Sequence, residues 1–215
     1  MEPYPDSVAH VMDELRRLEL VLRVHLEEWW ARNEGAVDEF RGLYVSDETV
    51  DGLLRSVDAE GRSGRRIGDH PPGGGNPELL EEIERVDGEI RRRERRTVSA
   101  GGELRLRRLV DRLGLEDRHR DALLLALAPE LDRRYGTVYS YLQDDVTRTR
   151  PTVDLVLRVL CRSERERLEA RRLFSGESRL VRNRLVRLSP ADGTPRPSRV
   201  LSVDERVADF LVGGD

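Results

Sequence analysis

Two long segments of this chain place apolar side chains every three or four residues. In the first, predicted as a helix over residues 6–33, the repeat runs through Val8, Val11, Leu15, Leu18, Leu22, His25 and Trp29. In the second, which Pro77 opens, it runs through Leu79, Ile83, Val86 and Ile90. Repeats at this spacing form one apolar stripe along a helix. We therefore expect two long helices that pair as an antiparallel hairpin or a coiled coil.

The second half of the chain carries shorter elements. Residues 122–128 are apolar without interruption, and a helix that is apolar on all sides is typical of a buried, central position. The pattern predicts helices at 103–113, 117–134, 137–146, 152–161 and 164–174, strands at 180–188 and 199–203, and a last helix at 204–211. Helices followed by a two-stranded hairpin form the order of a winged helix. The expected fold class is therefore mainly α, a helical hairpin or coiled coil followed by a winged-helix domain with a small β-hairpin.

Breaks in composition divide the chain into four parts. We expect an N-terminal helical segment at 1–57, a flexible linker or loop at 58–77, a second long helix packing on the first at 78–98, and a winged-helix-like domain at 103–215. The linker is rich in Gly, Pro, Arg and Asp, and Ile67 is its one large aliphatic residue, so it cannot bury enough surface to offset its ordering entropy. The chain runs out after residue 211 without a further element, so we expect it to be part of a longer protein.

Composition argues against several kinds of site. All 38 basic residues are arginine, and without lysine neither a nucleotide-binding P-loop nor a Schiff-base site can form. Spacings typical of hydrolases, metalloproteases and zinc sites do not occur, so we predict no catalytic, cofactor or metal site in this chain. We interpret His25 as packed, His119 as a surface residue and Cys161 as a small buried hydrophobe. Asp144 and Asp145 lie on different helix faces, which favours helix termination and salt bridges to Arg148 or Arg150 over proton transfer.

Four phrases of the sequence resemble one family. They are DALLLALAPELDRRYG, YLQDD, RPTVDL and, near the end, VLSVDERVADFLVG. Together they resemble the N-terminal, winged-helix-containing region of prokaryotic AAA+ ATPases of the kind associated with contractile injection-system gene clusters. The resemblance implies that the motor module, with its ATP and Mg²⁺, lies outside this chain. It also implies a non-catalytic interaction or assembly domain, with a cytoplasmic parent protein that is an ATPase.

Two classes of partner remain open. For a protein partner or self-association, the candidate residues lie on the first seam and at its end, namely Leu15, Leu22, Trp29 and Trp30. For the alternative, a winged-helix nucleic-acid-binding regulator, the candidates are Arg182, Arg184, Arg187 and Arg199, in a region where residues 162–187 hold nine arginines and four acids. Three phosphate contacts there predict a slope near −3 for the logarithm of the binding constant against the logarithm of salt concentration. No stretch is apolar enough to suggest a membrane partner.

Overall fold

A computed structural model describes residues 2–33, residue 52 and residues 76–213, with the backbone alone for 30–33. The helices are α1 (Ser7–Asn33), α2 (Pro77–Ser99), α3 (Arg105–Leu113), α4 (Asp117–Leu131), α5 (Arg134–Leu142), α6 (Val153–Leu160), α7 (Glu164–Ala170), α8 (Arg179–Arg182) and α9 (Glu205–Val212). Two short strands, β1 (Val186–Leu188) and β2 (Leu201–Val203), complete the described chain together with 3₁₀ turns at Arg171–Phe174 and Arg196–Ser198. The predicted mainly-α fold is confirmed. The helical stretch predicted at 36–57 and most of the linker predicted at 58–77 lie outside the described residues.

The first helix lies between α2 and the rest of the protein. On one side, Leu20 and Val24 of α1 pack with the apolar stripe of α2, which is formed by Leu79, Ile83, Val86 and Ile90. On another side, Leu15, Leu18, Leu22 and Leu26 belong to the main hydrophobic core, together with residues from α3 to α9. The hydrophobic core is therefore not divided at residues 100–102, because α1 contributes to the packing on both sides of that break.

The helices α1 and α2 run antiparallel, and polar contacts fix their ends. The Tyr4 backbone N–H donates to Thr97 Oγ1 at 2.8 Å, and Asp13 further along α1 pairs with Arg93, one turn earlier in α2. Asn76 caps α2 by accepting from the Glu78 N–H at 3.1 Å, and Pro77 occupies the first turn, where its missing N–H costs nothing. The predicted start of this helix at Pro77 is thus confirmed.

The apolar run forms the middle of α4. Each residue from 122 to 128 is buried, as predicted, so this helix has no solvent-facing side over two turns. The Tyr139 hydroxyl of α5 donates to the Leu125 carbonyl at 2.9 Å, which satisfies its polar atom within the core. The helix ends at Leu131, three residues earlier than expected, after Pro129. Asp132 then accepts from the Arg134 N–H at 2.8 Å at the start of α5.

A small sheet closes the second half of the chain. β1 and β2 pair antiparallel, with Val186 opposite Val203 and Leu188 opposite Leu201. A third extended position precedes α6, where Thr152 forms a single bridge to Val200. This isolated bridge, which the sequence pattern did not predict, ties the start of α6 to the residue just before β2.

The Gln143 amide holds the loop that leads to this third position. Its Nε2 donates to the Arg148 and Arg150 carbonyls at 3.0 and 3.1 Å, and its Oε1 accepts from the Thr152 N–H at 3.0 Å. The YLQDD phrase is therefore structural, since its glutamine sets the path of the loop between α5 and α6.

The strand predicted at 180–188 is wrong over most of its length. Residues 179–182 form the helical turn α8, which begins where Ser178 Oγ accepts from the Leu180 N–H at 3.3 Å. Leu180 and Leu185 both lie in the core, and the Leu185 N–H donates to the Leu180 carbonyl at 2.9 Å. The side-chain cap and this turn outweigh the local preference for an extended chain, so only Val186–Leu188 remain as strand.

Candidate functional site

Helix α7, which precedes α8 and the hairpin, presents one face to solvent. Ser163 caps α7 by accepting from the Glu166 N–H at 3.2 Å, and glutamates in the first turn complement the helix dipole. Ala170 is buried, as are Leu173 and Phe174 in the 3₁₀ turn that follows. These apolar residues anchor the helix on the core, so that the residues at positions 164, 165, 168 and 169 all face outward.

An exposed leucine lies at the centre of that outer face. The Leu168 residue is 60% exposed, although it belongs to a well-anchored helix. Beside it, Arg165 Nε donates to Glu169 Oε1 at 3.1 Å, and Glu166 accepts from Arg118 of α4 at 3.3 Å. The face therefore combines an apolar centre with paired charges of both signs. We call the exposed residues Glu164, Arg165, Leu168 and Glu169 the α7 face.

A second surface, next to the α7 face, is strongly basic. Among the described residues, four arginine guanidinium groups there have no hydrogen bond or ion pair, namely those of Arg171, Arg172, Arg182 and Arg184. Burial lowers the pKa of His119, and the nearby charges of Arg179 and Arg172 lower it further against the opposing effect of Glu116. The local potential is therefore positive. The predicted surface position of His119 is corrected to a half-buried one.

The four arginines predicted for nucleic acid divide into two pairs. Arg182 and Arg184 are exposed at the start of the hairpin, and Arg184 has a left-handed backbone with φ of 55°. By contrast, Arg187 pairs with Asp204, and Arg199 Nε donates to the Thr194 carbonyl at 3.2 Å. The structure therefore leaves two of the four guanidinium groups available for phosphates. Of the other two, Arg187 ties β1 to Asp204 at the start of α9, and Arg199 bonds a carbonyl within the hairpin loop.

The residues predicted for a protein partner are corrected in part. Leu15 and Leu22 are 2% and 0% exposed within the main core, so the chain itself covers them and they offer no surface to a partner. Trp29 packs edge-on against Tyr141, with ring centroids 5.4 Å apart. The Trp30 side chain lies outside the part of the chain that the structure describes.

The remaining interpretations concern single polar residues. His25 is buried, as expected for a packed histidine. Cys161 is also buried, as expected for a small packed hydrophobe, and burial raises the pKa of its thiol. Asp145 pairs with Arg148 at 2.9 Å just after the end of α5, which confirms its structural interpretation.

The sequence analysis missed a cluster of buried charges on α1. Glu14 and Arg17 are 1% and 4% exposed, and Arg17 Nε donates to Glu14 Oε2 at 2.9 Å. Arg17 also pairs with Asp121 of α4, and Arg120 Nη1 lies 3.6 Å from Glu14 Oε1. Burial lowers the pKa of Arg17, but the two carboxylates outweigh burial and raise it, so this arginine stays charged in the interior.

The same cluster reaches α2 through His10 and Glu94. His10 Nε2 lies 3.0 Å from Glu94 Oε1, and Arg107 Nη1 of α3 donates to Glu94 Oε2 at 3.2 Å. Burial opposes ionisation of Glu94, yet the contacts with His10 and Arg107 prevail and lower its pKa. The sequence contains a signal for this cluster, because His10, Glu14 and Arg17 are spaced as one helical stripe beside the apolar seam.

One comparison with known proteins agrees with the architecture. A family model described as "Winged helix domain, variant" matches residues 1–215. No curated protein and no solved structure matches the chain. The family match confirms the predicted winged helix. None of the helices in the described ranges is long and apolar enough to span a membrane.

Proposed function

Because the chain belongs to the variant winged helix domain family, we propose that it is a non-catalytic binding domain that docks a protein partner through the α7 face. Winged helices bind nucleic acid or protein, so the fold alone does not decide the class of partner. The observation that carries the proposal is Leu168, which is 60% exposed on α7. An exposed leucine with paired charges around it matches the apolar centre and polar rim of a protein interface.

The charges of α7 oppose the insertion of this helix into a DNA groove. The helix carries Glu164, Glu166 and Glu169, and phosphate groups on both sides of a groove would repel these carboxylates. Arg165 is already bonded to Glu169, so it would have to exchange that bond for a contact with DNA. A protein partner whose surface carries charges of both signs would not repel these glutamates as a whole, and Arg165 could keep its bond to Glu169. These features favour a protein partner for this helix.

A capture experiment tests the use of the α7 face. The wild-type chain is immobilised and exposed to a nuclease-treated host-cell lysate, and the retained proteins are measured by quantitative mass spectrometry. The partner should be retained by the wild type, and Leu168→Glu should abolish this retention. Val146→Glu is the matched control, because Val146 is 53% exposed and lies in the loop after α5. Both variants should fold like the wild type, since neither position is buried. Equal retention of every captured protein by wild type and Leu168→Glu would contradict the proposal.

The finer part of the proposal concerns the whole protein. The resemblance of the DALLLALAPELDRRYG and VLSVDERVADFLVG phrases supports an assembly domain of a cytoplasmic AAA+ ATPase, whose motor module would bind ATP and Mg²⁺. The lack of lysine means that residues 1–215 would not supply the P-loop themselves. Reading the coding sequence beyond Asp215 tests this part. A P-loop within about one domain length supports it, and a stop codon directly after Asp215 contradicts it.

A second candidate function is nucleic-acid binding, and the unpaired guanidinium groups of Arg182 and Arg184 favour it. They lie beside the hairpin, where a winged helix contacts the phosphate backbone. Since Arg187 and Arg199 are engaged within the chain, two phosphate contacts replace the three expected from the sequence. Binding to duplex DNA should then show a salt slope of about −1.8 rather than −3. Charge reversal at Arg182 and Arg184 should remove the binding.

A further inference from the structure

We propose that His10, Glu14 and Glu94 form a binding site for one divalent transition-metal ion, with Zn²⁺ as the probe that fits their chemistry. All three residues are buried, and one ligand atom from each lies within 4.8 Å of the others. His10 and Glu14 are one helical turn apart on α1, and Glu94 faces them from α2. One imidazole with two carboxylates is a donor set that suits Zn²⁺ or Mn²⁺. This inference is independent of the proposed binding function.

The arrangement of His10 points to a missing ligand. The residue is 0% exposed, and within the described part of the chain its Nδ1 has no hydrogen-bond partner. Its Nε2 lies 3.0 Å from Glu94 Oε1, which places the imidazole directly against that carboxylate. Two ligands that bind one Zn²⁺ ion at about 2.1 Å in tetrahedral geometry are separated by about 3.4 Å. A bound ion would therefore need the two side chains to move apart by only about 0.4 Å.

In both Glu14 and Glu94, one carboxylate oxygen could bind a metal ion. Glu14 Oε2 accepts from Arg17 at 2.9 Å, whereas its Oε1 has only a longer contact of 3.6 Å with Arg120. Glu94 Oε2 accepts from Arg107, and its Oε1 faces His10. Arg107 also bonds Asp111 at 2.7 Å, so it would remain paired if its contact with Glu94 lengthened. A cation would thus add to the existing contacts of both carboxylates.

The balance of charge supports a dication. Two ion-pair networks of described residues meet at His10. The first joins Arg107 to Glu94 and Asp111. The second joins three arginines to four carboxylates, which are Arg17, Arg91 and Arg120 with Glu14, Asp87, Asp117 and Asp121. A histidine that binds a metal ion is neutral. With His10 neutral, each network carries one net negative charge, which a divalent ion between Glu14 and Glu94 would offset.

Metal titration of the whole chain tests the site. After treatment with EDTA and its removal, calorimetry with Zn²⁺ should show one equivalent bound with a Kd of about 1 μM or tighter. His10→Gln and Glu94→Gln should each weaken binding at least tenfold. The double variant His70→Gln/His119→Gln is the matched control, because it removes the other histidines outside α1 and should bind like the wild type. Mg²⁺, which favours oxygen ligands, should not compete at equal concentration.

A spectroscopic measurement covers the case in which a variant fails to fold. Co²⁺ added to the wild-type chain should give visible absorption bands that one equivalent of Zn²⁺ removes, and circular dichroism should show an unchanged helical content. Wild-type protein with no bands and no calorimetric binding would overturn the proposal. So would binding that is unchanged in His10→Gln and Glu94→Gln but lost in the control double variant.

Discussion

Leu15→Asp should leave the protein unfolded at 25 °C. The Leu15 side chain is 2% exposed and packs in the main core, where α1 contacts the helices of the second half of the chain. Losing a buried leucine costs about 2–5 kcal/mol, and placing a carboxylate without a partner in the core adds several kcal/mol more. The sum is of the order of the whole stability of a domain, about 5–15 kcal/mol. Circular dichroism and urea unfolding measure the loss.

Met12→Asp is the matched control for this prediction. Met12 lies on the same helix, less than one turn from Leu15, but is 54% exposed. Its replacement should change the free energy of unfolding by no more than about 0.5 kcal/mol. If Leu15→Asp unfolds at the same urea concentration as Met12→Asp, then α1 is not packed in the core as described.

Arg17→Ala should cost about 3–5 kcal/mol of stability. The side chain is buried and bonds both Glu14 and Asp121, so its loss leaves two carboxylates without their main cationic partner in the interior. Arg85→Ala provides the comparison, because Arg85 pairs with Glu82 and Glu89 on the half-exposed surface of α2. Exposed pairs of this kind contribute about 0–1 kcal/mol. Chemical denaturation of the two variants should therefore differ by at least about 2 kcal/mol, and equal losses would contradict the buried network.

The sequence predicted the helices better than their packing. The apolar run at 122–128 left no solvent face, so a buried α4 followed directly from it, and Pro77 marked the start of α2. The seam of α1 was also visible, but periodicity does not identify the surface that covers it. Leu15 and Leu22 were therefore assigned to a partner, although the second half of the chain covers them.

Features that depend on contacts distant in sequence could not be predicted in this way. The local sequence does not distinguish Arg187 and Arg199 from Arg182 and Arg184. The two pairs differ because Asp204 and the Thr194 carbonyl lie within reach of the first pair only. His10, Glu14 and Arg17 formed a visible polar stripe, but their burial follows from α2, α3 and α4 packing over it. Leu168 was one leucine among many, and its exposure emerged only once α7 was anchored by Ala170 and its neighbours.

Fluorescence anisotropy tests the proposed class of partner most directly. Labelled 30-base-pair DNA duplexes, of random and of host-derived sequence, are titrated with the wild-type chain at about 150 mM salt. A protein-docking domain with glutamates on α7, and with only Arg182 and Arg184 unpaired beside its hairpin, predicts a Kd weaker than about 10 μM that is the same for every sequence. Sequence-selective binding with a Kd near 10 nM or tighter, which is typical of specific DNA recognition, would contradict the account.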